Sequence, residues 1–419
     1  MSWWLLLGAA LALGTDPCQP HGETNVIANG TCWGAGADAP CFSCWYGPKC
    51  SLFNSSSACL VDAERNYFLM WQDELESFPA TTLPASWAMP YQSQGIVPPL
   101  EAAIRAMHKM VGNANPDGSQ VLLCPGARSC AAAVIFAMNA VYGASLQVFA
   151  RTPYFTLDPA WVAAATTGAP TDAIWNASAD ATLPTSVEIL TSPNNPDGAP
   201  HQPSVREQRR LVCDSVYNWP WNHYPVSDLG CDTTLFSMSK CTGHCGSRLG
   251  WALMRDPALF DKAYEYVVVT AGGVSVEAQA RSHSVLTHLL ATNGSLFGTA
   301  CAALESRWDS LDEILPSCLE NQVLLDYNKE HRGPLLWITA PAAVDGLKLL
   351  AAAGILGEPG TNFGAGANSA RVNLVGSASS WALLLPRLRQ LCAAPARQVW
   401  ARVEAARAAA PARRHPFVA

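Results

Sequence analysis

The sequence predicts an α/β protein whose core is a mostly parallel β-sheet with helices on both faces. After about residue 60, short apolar runs such as QVLLC and SVEILT alternate with helical stretches such as CAAAVIFAMNAVY. Strands that alternate with helices are typical of a parallel sheet. From about residue 300 helical periodicity comes first, followed by the strand-like LLWITA and ARVNLVG and a terminal helix. This second pattern predicts a smaller C-terminal α+β domain packed on the larger one.

Composition and motif positions divide the 419 residues into four expected segments. Nearly half of the chain is apolar (49%), which allows a large core and more than one domain. The formal net charge is only -7, which disfavours a nucleic-acid partner. The expected segments are a signal peptide (1–14), a cysteine-rich module (15–60), a large domain (61–300) and a small domain (301–419).

The first segment, MSWWLLLGAALALG, has the form of a secretory signal peptide. It is a short apolar run that ends in small residues, and it is too short to span a bilayer comfortably. An uncleaved anchor and a wrongly chosen start codon are the alternatives. No other run is long and apolar enough to cross a membrane, so we expect a mature protein without a membrane segment, secreted or vacuolar.

Cysteines are concentrated in the next segment. Six of the fifteen lie between Cys18 and Cys59, in a short Gly-rich stretch. This pattern indicates a disulfide framework in a secretory context. Zinc binding by Cys41 and Cys44 is the alternative, but no second ligand pair has finger-like spacing, so we expect no metal. Glycosylation sequons, which matter only in a secretory compartment, begin at Asn29, Asn54, Asn176 and Asn293.

The run SMSKCTGHCGSRLG, residues 237–250, directly follows a predicted strand. In such sheets, ligands bind at the carboxyl ends of the strands. A partly desolvated lysine there has a lowered pKa and becomes nucleophilic toward an aldehyde, of which pyridoxal phosphate is the obvious one. Ser237, Ser239 and Arg248 would supply hydroxyls and a cation for its phosphate. Taken alone, Lys240 is better explained as a solvated loop residue, and only its partners elsewhere in the chain favour the coenzyme role.

Two upstream motifs complete a coenzyme site. Asn195 lies in the turn of TSPNNPDG, where its amide can face the phenolic oxygen of the ring. Asp214 ends the apolar run LVCD, and a buried carboxylate there needs a cation such as a protonated pyridine nitrogen. Tyr217 follows closely. Singly these are an ordinary turn residue, a helix N-cap and a core aromatic, but their joint order favours a coenzyme site.

These residues, with YNWPW, GGVSVEAQAR and ILGEPGTNFGAGANSARVNLVG, resemble the alliinase and tryptophan-aminotransferase-related family of fold type I pyridoxal phosphate enzymes. The cysteine-rich module resembles the family's EGF-like domain. The resemblance implies that Lys240 forms the Schiff base and is catalytic together with Asp214 and Tyr217. The other coenzyme contacts that it implies are Asn195 and Tyr217 to the phenolic oxygen, Asp214 to the ring nitrogen, and Ser237, Ser239 and Arg248 to the phosphate.

The same resemblance implies contacts beyond this block. Arg371 would bind the substrate α-carboxylate as a bidentate fork. Tyr154 would stack on the coenzyme ring, with Phe155 as the alternative. Tyr91 would reach the phosphate of a neighbouring subunit, which implies a homodimer, although an ordinary aromatic role is nearly as well supported. The implied disulfides of the EGF-like module are Cys18–Cys32, Cys41–Cys50 and Cys44–Cys59.

Two places depart from the family pattern. In LLCPGARSCAAA, Cys124 replaces the first Gly of the phosphate loop, and Gly126, Ala127 and Arg128 follow. Backbone N–H groups at the start of the next helix can still bind phosphate. Beside the lysine, Cys241 and Cys245 replace apolar or small residues. We expect them to be buried thiols, since adjacent placement with His244 gives poor tetrahedral metal geometry.

The expected function is a pyridoxal phosphate enzyme that acts on L-amino acids. The signal peptide and the EGF-like module favour an alliinase-like carbon–sulfur lyase that cleaves S-substituted cysteine sulfoxides. One alternative is an aminotransferase that uses aromatic amino acids such as tryptophan with a 2-oxo acid. The other is a catalytically decayed, secreted binding protein, against which the complete set of site residues argues.

Overall fold

The computed structural model describes residues 81–88, 95–142, 147–155, 186–202, 210–223, 225–376 and 378–409, together with five two-residue strands nearer the N-terminus. These strands are β1 (Asn25–Val26), β2 (Cys32–Trp33), β3 (Trp45–Tyr46), β4 (Leu52–Phe53) and β5 (Val61–Asp62). β1 pairs with β2 and β3 with β4, both antiparallel. The predicted signal peptide, the disulfides of the cysteine-rich module, Tyr91 and three of the four sequons lie outside the described residues.

The central sheet has six described strands. They are β6 (Gln120–Cys124), β7 (Gln147–Phe149), β8 (Ser186–Thr191), β9 (Arg210–Asp214), β10 (Thr233–Ser237) and β11 (Gly250–Met254). Their order is β6-β11-β10-β9-β8-β7, and the pairs from β7 to β10 are parallel. β11 is antiparallel to both of its neighbours. The prediction of a mostly parallel central sheet is confirmed.

Both faces of this sheet are covered by helices. On β11, Trp251 and Leu253 join one apolar cluster, whereas Ala252 and Met254 join another, because successive side chains of a strand point to opposite faces. The first cluster includes the helices Pro98–Val111 and Val276–Ala291, and the second includes Ala127–Tyr142 and Pro257–Ala271. A strand buried on both faces reads as a continuous apolar run, as GWALM does.

The ends of these helices follow from local sequence. For Pro257–Ala271, the side chain of Asp256 accepts bonds from the N–H groups of Ala258 and Leu259. Pro257 occupies the first turn, where its missing N–H costs nothing. The helix ends at Gly272, whose φ of 65° is left-handed.

A second, four-stranded antiparallel sheet lies within residues 326–373. Its strands are β12 (Asp326–Tyr327), β13 (Leu335–Thr339), β15 (Glu358–Pro359) and β16 (Ser369–Asn373), in the order β12-β13-β16-β15, while β14 (Ile355–Leu356) pairs with β5. The remaining described helices are Ala85–Ala88, Met238–Cys241, Ser295–Asp312, Leu315–Glu320, Gly346–Ala352, Ala378–Ala393 and Ala396–Ala409. A smaller α+β region follows the large sheet, as predicted.

Three disulfides join described residues: Cys124–Cys130, Cys213–Cys231 and Cys318–Cys392. Asn293, the fourth sequon, is exposed in the turn between two helices, with a left-handed φ of 50°. Within the part of the chain that the structure describes, no helix combines the length and apolar character that a membrane span requires.

Candidate active site

One cavity, of about 210 Å³, collects the predicted coenzyme residues. It lies at the carboxyl ends of β9 and β10, against the start of the helix Ala127–Tyr142. Its lining comprises Gly126, Ala127, Arg128, Phe155, Asn195, Asp214, Val216, Tyr217, Ser237, Ser239, Lys240, Cys245 and Arg248. Every predicted coenzyme contact lines it except Tyr91, which is not described, and Tyr154. This position is the expected one, because ligands of open α/β sheets bind at the carboxyl ends of the strands.

Asp214 is the buried acid of this cavity. It ends β9, pairs with Thr191 of β8 and is only 3% exposed. Burial raises the pKa of its carboxyl to about 6, although the charge of Lys240 and a bond from the Val216 N–H (3.3 Å) oppose the shift. Desolvation therefore outweighs both, because neither partner fully replaces the lost water. A cation at this carboxylate would stabilise its ionised form.

Lys240 follows β10 in the short helix Met238–Cys241. The hydroxyl oxygen of Ser237 begins this helix by accepting a bond from the Ser239 N–H at 3.0 Å. The Lys240 side chain is half-buried, with Nζ 5.4 Å from the centre of the Tyr217 ring. Its carbonyl accepts a bond of 2.9 Å from the indole N–H of the fully buried Trp221. A rigid core residue thus fixes the backbone that carries the amine.

The segment between β6 and the following helix, residues 124–130, forms a tight loop that we call the 124–130 loop. A disulfide between Cys124 and Cys130 closes it. Gly126 has a left-handed φ of 94°, and a Cβ there would lie 2.7 Å from Nη2 of Arg248. In the neighbouring strand β11, a Cβ on Gly250 would lie 2.3 Å from the Ala127 nitrogen. Both glycines allow the loop to lie close to its neighbours.

Two guanidinium groups meet at this loop. Burial and the nearby charge of Arg248 lower the pKa of Arg128. Arg248 has a left-handed φ of 47° and donates to the carbonyls of Cys245 (3.2 Å) and Pro125 (3.3 Å). Two like charges beside a helix N-terminus, where N–H groups lack intrahelical partners, form a site for an anion such as phosphate.

Asn195 and Arg371 link the central sheet to the second sheet. Arg371 lies in β16, and its Nη1 donates to Oδ1 of the buried Asn195 at 2.8 Å. Its guanidinium also lies 4.9 Å from the centre of the Phe363 ring. Because Oδ1 accepts this bond, the Nδ2 group is the part of the Asn195 amide that can donate to a ligand. This orientation suits a donor to a phenolic oxygen.

Of the two aromatic candidates for ring stacking, Phe155 lines the cavity. Tyr154 instead lies against Gly364, where a Cβ would be 2.5 Å from the tyrosine Cε1. The Tyr154 N–H donates to the Phe363 carbonyl at 3.0 Å. Tyr154 therefore packs against the segment between β15 and β16 and does not line the cavity. The placement favours Phe155, the alternative candidate, as the stacking residue.

The two cysteines beside the lysine differ from each other. Cys241 is buried, as expected, and burial raises the pKa of its thiol. The expectation that Cys245 is also buried was wrong: it is exposed and lines the cavity. The reason is the 3₁₀ turn Cys245–Ser247, which leads into the left-handed Arg248 and follows the cavity wall instead of entering the core.

Sequence reasoning missed two features of this site. Trp221 lies in the motif YNWPW, but neither spacing nor composition indicates that its indole reaches Lys240. Cys130 follows Cys124 by six residues, a spacing that only the loop geometry turns into a disulfide. In both cases the partner becomes visible only when the chain is folded.

The donor set matches pyridoxal phosphate group by group. Arg128, Arg248 and the first amides of the following helix suit a phosphate, and the carboxyl of Asp214 suits a protonated ring nitrogen. The half-buried amine of Lys240 suits the aldehyde. A protonated ring nitrogen would offset the cost of burying the Asp214 carboxylate, which raises its pKa. A phosphate would offset the repulsion between the guanidinium groups of Arg128 and Arg248. The residues present therefore fit the coenzyme.

Solved structures that are similar to this chain include aminotransferases. An aminotransferase from Staphylococcus aureus superposes with a TM-score of 0.60 at 15% identity, over 80% of this chain and 94% of that one. The aspartate aminotransferase of Thermus thermophilus with maleate gives 0.58 at 17% identity, over 79% and 91%. The chain thus has the fold of the fold type I pyridoxal phosphate enzymes.

A sequence model of the allinase family matches residues 66–392, and the chain belongs to this family. Tryptophan aminotransferase-related protein 4 of Arabidopsis thaliana is 27% identical over 412 residues, covering 89% of this chain and 86% of the relative. Alliin lyase of Allium cepa is 27% identical over 345 residues, covering 74% and 69%.

Proposed function

We propose that the chain is a pyridoxal phosphate enzyme that removes the α-proton of L-amino acids. The observation that carries the proposal is the convergence of Lys240, the buried Asp214 and two guanidinium groups in a single cavity. A structural role accounts for each of these residues singly. It does not account for a carboxyl with a pKa of about 6 beside an amine at the same strand ends.

When bound, pyridoxal phosphate supplies an electron sink for the charge that develops at the α-carbon. Lys240 would hold the aldehyde of the coenzyme, and its free amine would serve as the base that takes the α-proton. Asp214 would keep a proton on the ring nitrogen of the bound coenzyme, and Asn195 and Tyr217 would donate to its phenolic oxygen. Arg371 binds the α-carboxylate of the substrate and thereby sets which bond faces Lys240.

For the reaction that follows, we assign carbon–sulfur bond cleavage in S-substituted cysteine sulfoxides. Membership of the allinase family and likeness to proteins named alliin lyase support this assignment. The three disulfides among the described residues support the secretory route that the first segment predicts, because disulfides persist in oxidising compartments.

Transamination is the second candidate. The relatives named tryptophan aminotransferase-related proteins 3 and 4 match 91% and 89% of this chain, whereas the alliin lyases match 74–75%. Both reactions use the same residues up to proton removal, so the site described above serves either. The third possibility, a decayed binding protein, conflicts with the presence of Asn195, Asp214, Tyr217, Lys240 and Arg248 in one cavity.

The test uses purified holoenzyme from a secretory expression host. Incubation with an S-alkyl cysteine sulfoxide should release pyruvate, and incubation with tryptophan plus a 2-oxo acid should not release the corresponding amino acid. The reverse pattern would favour transamination. A protein that takes up no coenzyme, judged by its visible absorbance, would refute both. The homodimer implied by Tyr91 is checked by the mass of the holoenzyme in solution.

A further inference from the structure

The 124–130 loop is closed covalently at its two ends. Cys124 is the last residue of β6, Cys130 lies in the first turns of the following helix, and both are fully buried. Within this ring the Gly126 N–H donates to the Cys124 carbonyl at 2.6 Å, and the N–H groups of Ser129 and Cys130 donate to the Gly126 carbonyl at 3.1 and 3.3 Å. The disulfide thus encloses one compact turn.

This turn carries the groups that face the anion site. Ala127 and Arg128 line the cavity, and their N–H groups belong to the first helical turn, which has no preceding carbonyl to bond. The one hydroxyl inside the ring, on Ser129, is directed to the Pro125 carbonyl at 3.3 Å. The loop can therefore hold a phosphate only with backbone N–H groups and the Arg128 guanidinium.

Backbone donors bind an anion well only when the turn that presents them is fixed, since each must point at the ligand at once. Hydroxyl side chains adjust by rotation, but backbone N–H groups do not. The 124–130 loop uses backbone donors and lies beside two guanidinium groups that repel each other. Its affinity for a phosphate should therefore depend on the disulfide that closes it.

We propose that the Cys124–Cys130 disulfide is a positioning element for the coenzyme phosphate: it holds the N–H groups of Ala127 and Arg128, and the Arg128 side chain, in the geometry that binds a phosphate dianion. This inference rests on the proposed function, since it concerns the affinity for that coenzyme. It assigns the cysteine pair a role in binding rather than in general stability.

The chain contains a matched control. Cys318 and Cys392 form a second buried disulfide, which joins the helices Leu315–Glu320 and Ala378–Ala393 and does not line the cavity. Its two cysteines are 74 residues apart in the sequence, whereas those of the loop disulfide are 6 residues apart. A longer ring restrains the unfolded chain more, so the control disulfide should matter more for stability.

The test compares Cys124→Ser/Cys130→Ser with Cys318→Ser/Cys392→Ser as apo-proteins. Each is titrated with pyridoxal phosphate and, separately, with pyridoxal, which lacks the phosphate, and each is unfolded in urea. The loop variant should bind pyridoxal phosphate at least about tenfold more weakly, the loss of roughly one charge-assisted hydrogen bond, with pyridoxal affinity unchanged. The control variant should unfold at lower urea with both affinities unchanged.

The loop variant with serines places two hydroxyls in the core and can fail to fold for that reason. Cys124→Ala/Cys130→Val replaces the cysteines with apolar side chains, and it should show the same loss of affinity for pyridoxal phosphate but not for pyridoxal. Equal affinities for pyridoxal phosphate in wild type and in a folded loop variant would overturn the inference. So would an equal loss for pyridoxal, which would indicate general damage. If the wild type itself binds no pyridoxal phosphate, the proposed function fails instead.

Discussion

Asp214→Asn should stabilise the apo-protein while it weakens the enzyme. The carboxyl is buried, and its pKa rises from the ordinary 3.8 to about 6. At about 1.36 kcal/mol per pKa unit, the ionised carboxylate lowers the free energy of unfolding at neutral pH by about 3 kcal/mol. Asparagine has no charge to desolvate, and its Oδ1 can still accept the bond from the Val216 N–H.

The pH dependence separates this effect from a simple change in packing. Because folding raises the pKa of Asp214, the cost of burying the charge is nearly complete above about pH 6 and small near pH 4, where the carboxyl is protonated in the native state and about half protonated in the unfolded chain. Urea unfolding of the apo-proteins should therefore favour the variant by up to about 3 kcal/mol at neutral pH, and by well under about 1 kcal/mol at pH 4.

The exposed Asp261 provides the control. Asp261→Asn, a substitution of the same type, should leave the free energy of unfolding nearly the same at both pH values. With coenzyme bound, the wild type should instead have the higher free energy of unfolding. The ring nitrogen stabilises its Asp214 carboxylate, and tighter ligand binding stabilises the folded wild-type protein more. An apo-variant that is less stable than wild type at neutral pH, or a gain that persists at low pH, would refute the reasoning.

Three further substitutions, the last of them with a control substitution, test the proposed roles. Lys240→Ala should abolish turnover and the coenzyme's lysine-dependent visible absorbance while leaving weak coenzyme binding, measurable by equilibrium dialysis. Arg371→Lys should raise the substrate KM roughly tenfold to hundredfold, because it loses the planar fork, and it should also shift the coenzyme absorbance, because Nη1 orients Asn195. Trp221→Phe removes the bond to the Lys240 carbonyl and should shift the pH midpoint of the coenzyme absorbance. Trp251→Phe, which removes an equally buried bond to a histidine, should change only the unfolding midpoint.

The class of the fold follows from sequence because it depends on periodic patterns. Buried strands such as QVLLC and GWALM are nearly continuous apolar runs, and their alternation with helices predicts a parallel sheet. The antiparallel direction of β11 is not predictable in this way, because an apolar run is the same in either direction. The structure shows why the direction reverses: the connection from Ser237 to Gly250 holds only the four-residue helix Met238–Cys241 and a 3₁₀ turn, without a helix long enough to carry the chain back across the sheet.

The candidate site was predictable where each residue ends its own strand. Asp214 and Lys240 follow consecutive strands of the sheet, so their positions in sequence fix their positions at the sheet edge. Tyr154 and Phe155 show the limit of this reasoning. Adjacent residues outside regular structure point in different directions, and the close contact of Tyr154 with Gly364, which decides between them, joins residues far apart in the chain.

The 124–130 loop shows how a changed motif can keep its chemistry by other means. Arg128 and Arg248 repel each other when no anion is bound, which tends to separate the loop from the neighbouring turn. Gly126 and Gly250 allow close packing there but supply no attraction of their own. The disulfide between Cys124 and Cys130 lies within the loop, so it holds the shape of the loop and the position of Arg128 against this repulsion in the apo-protein. The bond from Arg248 to the Pro125 carbonyl joins the loop to the neighbouring turn. On this reasoning the disulfide matters most before the coenzyme arrives, and its loss should slow coenzyme association rather than only speed dissociation.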